Sequence, residues 1–272
     1  NHAVVPPIYY DQLAQALGDA YGEDANTVIS QEWEYGYRGQ RIVDMVSATA
    51  AHTAETVAEI QGDNHNLKAE ELLPYLLNLE PEDASLAEAV QWLAEWNLQN
   101  TMDDPQSNPP AAPRAALFEA FWVALVDNLW NDQLGFASDG GSNVMWGTRL
   151  LLDRPDHQWW DDIRTEEVVE TRDDILIRSL RDALDYMTEN WGADRESWRW
   201  GDLHTATFVS NPLGQSGIGL IESLVNAGPV PTGGGSGIVN ATGWSASQPF
   251  AVRSLPSLRE SIDMADLASS RA

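Results

Sequence analysis

The 272-residue chain carries 42 acidic side chains against 15 basic ones, a formal charge of -27, and Lys68 is its only lysine. Nucleic acids and anionic membrane surfaces are polyanions, so a field of this sign excludes both as partners. There is no cysteine, which removes disulfides, thiol nucleophiles and zinc-thiolate sites, and no apolar run reaches the roughly eighteen residues a bilayer span needs. Hydrophobic residues at 43% and twelve tryptophans provide a core. The acids are dispersed, which points to solubility and not to an acidic tail. A chain without cysteine fits a soluble protein that is periplasmic or secreted, and one that opens on Asn1 in place of methionine is expected to be either cleaved from a precursor or cut from a longer chain.

Residues 1–12 contain Pro6-Pro7 and read as extended. Leu13 to Tyr21 can form a short helix. A polar loop leads to Trp33-Glu34-Tyr35-Gly36-Tyr37-Arg38-Gly39-Gln40-Arg41-Ile42, after which a helix carries Ile42, Val43, Met45 and Val46. Arg38 and Arg41 are three apart and share a helical face, suited either to carboxylate recognition or to internal salt bridges, the commoner use. Helices follow over 53–60, Leu67 to Leu79 with Pro74 inside, and Ser85 to Leu98. Four prolines within 100–113 mark a surface loop. Ala115 to Trp130 reads as the longest amphipathic helix, its aromatic stripe a core feature.

Residues 135–147 read as a glycine-rich loop without the lysine of a phosphate loop. His157, beside Trp159, Trp160, Asp161 and Asp162, suits a solvated turn better than a metal site, since only one imidazole is present. Arg172 to Asn190 is a helix with Gly192 at its stop. At Trp198-Arg199-Trp200-Gly201-Asp202-Leu203-His204 helical spacing gives way to the alternation Thr205-Ala206-Thr207-Phe208-Val209. Strands are expected over 238–245, 250–252 and 257–264, too few to stand without a larger sheet. The fold class is α+β. Three regions are expected: an extended lead-in with a short helix over 1–30, a helical domain over 31–195, and returning strands over 196–272.

No complete catalytic constellation is present in the residues themselves. There is no G-x-S-x-G and no H-E-x-x-H, and the five histidines are scattered. The carboxylate pairs Asp103/Asp104, Asp161/Asp162 and Asp173/Asp174 are adjacent, not facing, so they make no glycosidase dyad.

Four segments in order nevertheless resemble one family. W-R-W-G-D-L-H, N-P-L-G, G-P-V-P-T-G-G-G-S-G-I-V-N-A and P-S-L-R-E-S-I-D resemble the later β-chain of penicillin acylases, which are N-terminal-nucleophile hydrolases. The opening N-H-A-V-V-P-P with G-Y-R-G-Q-R-I resembles that family's A-N-N-R-V and G-Y-R-A-x-R-I segments. The resemblance implies a helical insertion plus part of an αββα sandwich. It also implies hydrolysis of an N-acyl amide, in a β-lactam side chain, an acyl-homoserine lactone or an acyl amino acid. The nucleophile would be an N-terminal serine outside this chain, with its own amine as base.

By the same resemblance Asn1 matches the asparagine that donates to the oxyanion, and Arg38 an arginine at the edge of the active site. The partners implied are the α-chain and the N-terminal β segment of the acylase, and the fragment alone is expected to be inactive. Calcium is implied for the complete enzyme, with Asp11, Asp19, Glu23, Asp24 and Glu32 as acids near which a ligand could lie. Without the resemblance, the aromatic-rich helices read as a non-catalytic binding or scaffold module. His204, Trp198 and Trp200 read as structural, and Gly233 to Gly235 as backbone requirements.

Overall fold

A computed structural model describes residues 15–16, 18–19, 34–103 and 108–270. Asn1 and the extended lead-in lie outside them. The first long helix described, α1 (Tyr37–Ser47), starts at Gly36, and α2 (Ala54–Gln61) is opened by a reciprocal capping box between Thr53 and Thr56. Asn66 caps α3 (Leu67–Leu77), its Oδ1 accepting from Ala69 N at 3.0 Å. Pro74 is tolerated inside α3 because it lies on the exposed side. Asp83 caps α4 (Ala84–Ala94).

The centre of the molecule is α5 (Ala111–Val126), which runs through a π-turn at Asp127–Asn131 into one more short turn, Asp132–Leu134. The sequence predicts an amphipathic helix here, but α5 is buried almost all round. Its small residues, Ala111, Ala112, Ala115, Ala116 and Ala120, let neighbouring elements close on every side. The helix also begins earlier than predicted. Pro113 falls in its first turn, where a missing N–H costs nothing, so the surface loop ends at Pro110.

Next come α6 (Ser142–Leu152) and α7 (Arg172–Trp191). The predicted glycine loop is thus cut short at Gly141. Gly147 lies within α6 because the Trp130 ring packs where its Cβ would stand, 2.5 Å from Cη2. The longest helix is α7, opened by a Thr171/Asp174 capping box and stopped at Gly192 as expected. It packs along α5, burying Ile175, Leu176, Leu180 and Met187 against Phe118, Phe121 and Leu125. Each such side chain contributes roughly 1.5–3 kcal/mol on leaving water.

The change from helical spacing to alternation read at Trp198–His204 corresponds to a helix-to-strand junction. Trp198 and Trp200 are fully buried, and the short α8 (Trp200–Leu203) leads into β1 (Thr205–Phe208). After α9 (Gly219–Val225), β2 (Ala227–Pro231) pairs antiparallel with β1, Thr205 opposite Pro231 and Ala206 opposite Val230. The described residues therefore show an α+β chain that is mostly helical with a two-stranded ribbon.

The strands expected over 238–245, 250–252 and 257–264 are not formed. Isolated bridges join Gly243 to Ser254 and Ser245 to Gln248. The alternation there places Ile238, Trp244 and Phe250 as single anchors in the core. The backbone bonds instead to other loops and to one strand end, as from Ala246 N to Asp139 O at 2.8 Å and from Val252 N to Thr205 O at 3.0 Å.

Candidate active-site wall around Arg38

Helix α1 presents its two arginines to different partners. Arg38 pairs with Glu34 at 3.1 Å, while Arg41 grips both oxygens of Asp63 at 2.9 Å. Each makes an internal ion pair, the commoner use for such a pair. They do not act together on one ligand. Arg38 borders a cavity of about 240 Å³ that is also lined by Gly235, Ser236, Gly237, Trp244 and Arg253.

Across α1 lies a wider cleft of about 700 Å³, lined by Tyr35, Tyr37, Gln40, Val43 and Glu71. The Glu71 carboxylate accepts from the Tyr37 hydroxyl and from Arg149 Nε at 2.8 Å. Burial, and then the bond to Glu71, pushes the Tyr37 phenol well above its ordinary value. Tyr37 is therefore a fixed donor and not a base.

The glycine-rich wall is held by backbone bonds. Gly234 has φ +82°, and a Cβ there would run into the Asn240 carbonyl, so both conformation and close approach demand glycine. Gly233 is restricted by close approach alone, its Cβ position lying 3.1 Å from Asn100 O. Gly234 N donates to Asn100 O at 2.8 Å, and Trp200 Nε1 donates to Gly234 O at 3.0 Å. Thr242 Oγ1 donates to Gly233 O at 2.7 Å.

Behind Thr242 stands His204, fully buried and stacked on Trp200 with 4.5 Å between ring centroids. Its Nδ1 reaches Phe250 O at 2.5 Å and its Nε2 reaches Thr242 Oγ1 at 2.9 Å. Burial lowers its pKa. It is the satisfied structural histidine that the sequence suggests.

Sequence reasoning did not find the polar cluster under this wall. Lys68 Nζ lies 2.7 Å from Glu119 Oε2, and the other carboxylate oxygen accepts from Asn66 Nδ2 at 2.8 Å and Asn100 Nδ2 at 2.9 Å. All four residues are buried. A signal was present in the spacing: Lys68, Leu72 and Leu76 repeat at four residues along the apolar stripe of α3, which places the sole lysine inward.

The elements thus supply two cations, Arg38 and Arg253, beside a small polar cavity, a glycine wall and buried support. Asn1 lies outside the described residues, and its meeting with Arg38 is not seen. Among the described residues no group of three histidine or acidic side chains is arranged to hold a metal ion. Of the acids considered near a calcium site, only Asp19 is described. No helix among the described residues is long and apolar enough to cross a membrane.

The chain is similar to acyl-homoserine lactone acylases. It is 27% identical over 288 residues to the acylase QuiP of Pseudomonas aeruginosa PAO1, a match covering 97% of this chain and 32% of that protein. It is 28% identical over 254 residues to QuiP of Pseudomonas syringae pv. tomato, covering 86% of this chain and 30% of that protein. The chain thus spans about a third of the length of these relatives. The model of the penicillin amidase family matches residues 9–272, a stretch that includes Arg38, the glycine wall and the Trp198–His204 junction, and on that match the chain belongs to the penicillin amidase family.

Proposed function

We propose that this chain is part of a hydrolase that cleaves an N-acyl amide, with acyl-homoserine lactones as the first substrates to test and β-lactam side chains or acyl amino acids as the others. The observation that carries this reading is Arg38, held by Glu34 over a cavity walled by Gly235, Ser236 and Gly237, in a chain of this family.

The nucleophile would be an N-terminal serine on the remaining acylase polypeptide. Its α-amine, with a pKa of about 7.7–8.0, can take the hydroxyl proton as the oxygen attacks the substrate carbonyl. The negative oxygen so formed needs fixed donors, and Asn1 would be one of them. Collapse expels the amine product, which takes up the proton. Water then attacks the acyl-serine by the same route and releases the carboxylic acid. Arg38 would order the nucleophile region and the bound substrate from the edge of the site.

The β1–β2 ribbon supports completion by other strands. Two strands alone are marginal in water, and Phe208 and Val230 on the ribbon are exposed to solvent. In the complete enzyme they would join an αββα sandwich. We place the enzyme in the periplasm or outside the cell, and its calcium, where held, among segments outside the described residues.

The test is to purify the native enzyme containing this chain, sequence the N-terminus of every polypeptide and follow release of homoserine lactone from acyl-homoserine lactones. The expected result is a companion polypeptide beginning with serine, with turnover reduced about a hundredfold in Arg38→Ala, as for a misplaced reacting group. A single uncut polypeptide without turnover on any of the three substrate classes overturns the reading and leaves a non-catalytic aromatic-rich binding module.

A further inference from the structure

The buried charge cluster beneath the glycine wall has no role in the chemistry above, yet two routes from it end on the wall of the Arg38 cavity. Glu119 accepts from Asn100 Nδ2, and Asn100 O accepts from the wall at Gly234 N at 2.8 Å, next to Gly235 of the cavity lining. On the other route Lys68 Nζ lies 5.8 Å from the ring centroid of Trp244, which lines the same cavity. Trp244 N in turn donates to Ser236 Oγ at 3.0 Å.

A second strand of support starts from the same loop. Asn64 Oδ1 accepts from Asn240 Nδ2 at 2.8 Å, and Asn240 O accepts from Gly235 N at 3.3 Å. Asp63, which holds Arg41 of α1, also accepts from Asn240 N through its carbonyl at 2.9 Å. The segment 63–66 therefore fixes α1 on one side and the glycine loop on the other. Asn66, at its end, is bonded to Glu119.

We infer that Lys68 and Glu119 are positioning residues: their ion pair holds Asn66 and Asn100 in the one arrangement that sets residues 233–237 against Arg38. A buried pair of this kind is not needed for burial as such, since an apolar pair of similar volume serves as well or better. Its distinctive property is directional. The carboxylate saturates three donors at once, and a change at any one of them is felt by the others. The inference rests on the amide-hydrolase reading for its catalytic consequence, though not for the link between the cluster and the loop.

The experiment measures hydrogen exchange at residues 233–237 and steady-state kinetics in the complete native enzyme carrying Lys68→Met. In this variant Glu119 loses its cation, and the amides of 233–237 are expected to exchange about tenfold faster while those of α7 are unchanged. With an acyl-homoserine lactone as substrate, kcat is expected to fall about tenfold with KM altered less than about twofold, the pattern of a misplaced reacting group and not of lost binding. The pair Lys68→Met/Glu119→Gln, neutral and with its acceptor oxygen retained, is expected to restore both readings to within about twofold of the native enzyme.

Unchanged exchange at 233–237 in Lys68→Met overturns the inference. So does acceleration equal across the loop and α7, which would mark a merely structural role, and so does faster loop exchange with unaltered kcat. Should Lys68→Met not fold, Asn100→Ala cuts the route to Gly234 with the ion pair intact, and unchanged loop exchange there overturns it equally. A native enzyme that turns over no N-acyl substrate refutes the hydrolase reading alone, because the exchange arms still decide the link.

Discussion

Lowering the pH should destabilise the fold through His204. The Phe250 carbonyl can only accept, so it assigns a proton to Nδ1. A neutral ring then leaves Nε2 an acceptor 2.9 Å from Thr242 Oγ1, so it shares the one hydroxyl proton with Gly233 O, 2.7 Å from the same oxygen. Burial is the largest influence and depresses the His204 pKa below 6.5, with the Phe250 bond, the Glu119 charge and the Thr242 bond only partly opposing it.

The sign follows from proton counting. Between the depressed folded pKa and about 6.5 the unfolded chain binds the proton and the folded one does not. Stability from this group is full above about pH 6.5 and declines as pH falls, by at most about 1.4 kcal/mol per pH unit. Because 42 acids also titrate, the assay is a difference measurement. Urea unfolding of the native chain and of His204→Gln, whose amide can offer one donor and one acceptor in place of the ring, is compared at pH 7.5, 6.5 and 5.5. The native-minus-variant stability should shrink steadily toward pH 5.5. A difference constant across that range refutes the argument.

Two further substitutions separate the supports of the glycine wall. Trp200→Phe removes the donor to Gly234 O and leaves a void among Trp244, Phe250 and His204. An unfolding free energy lower by about 2–4 kcal/mol is expected from the lost bond and the cavity together, and calorimetry or urea titration will read it. Gly234→Ala combines positive φ with a collision against the Asn240 carbonyl, whereas Gly217→Ala meets open space at φ +76°. The second should cost about 1–2 kcal/mol and the first clearly more, so equal losses in thermal unfolding would show that close approach at Gly234 is not a constraint.

Most of the long helices were legible because their signals are local, but α6 was not, since its first residues continue the run of Gly140 and Gly141. Thr53, Asn66, Asp83 and Thr171 stand just before apolar runs of helical period, and Gly192 follows one. The ribbon's first strand was legible for the same reason, from the alternation after His204. The stretches over 238–264 were not, since Trp244 and Phe250 repeat apolar character at strand-like spacing while their backbone bonds go to loops remote in sequence. Arg38 was singled out with Arg41 by spacing and given a place at an active-site edge by family resemblance alone, while its pairing with Glu34, four residues away, is a local relation. The Lys68–Glu119 pair spans 51 residues and joins two helices, so no window of sequence contains it. The one sequence signal that could have pointed to it, a lone lysine on an apolar stripe, went unread.

A wall made of Gly233-Gly234-Gly235-Ser236-Gly237 explains why charge is buried beneath it. Glycines bury little side chain, and fixing each residue costs about 1–2 kcal/mol of backbone entropy. A neutral hydrogen bond returns about 1 kcal/mol net, so bonds from Trp200, Thr242 and the Asn100 carbonyl leave little margin if those partners shift. The partners must be ordered before the loop is. Trp200 and His204 achieve this by full burial and stacking, and Asn100 by donating to a carboxylate that Lys68 holds in place. The one lysine in a chain of 42 acids is thus placed where a mobile acceptor would release the side of the cavity facing Arg38.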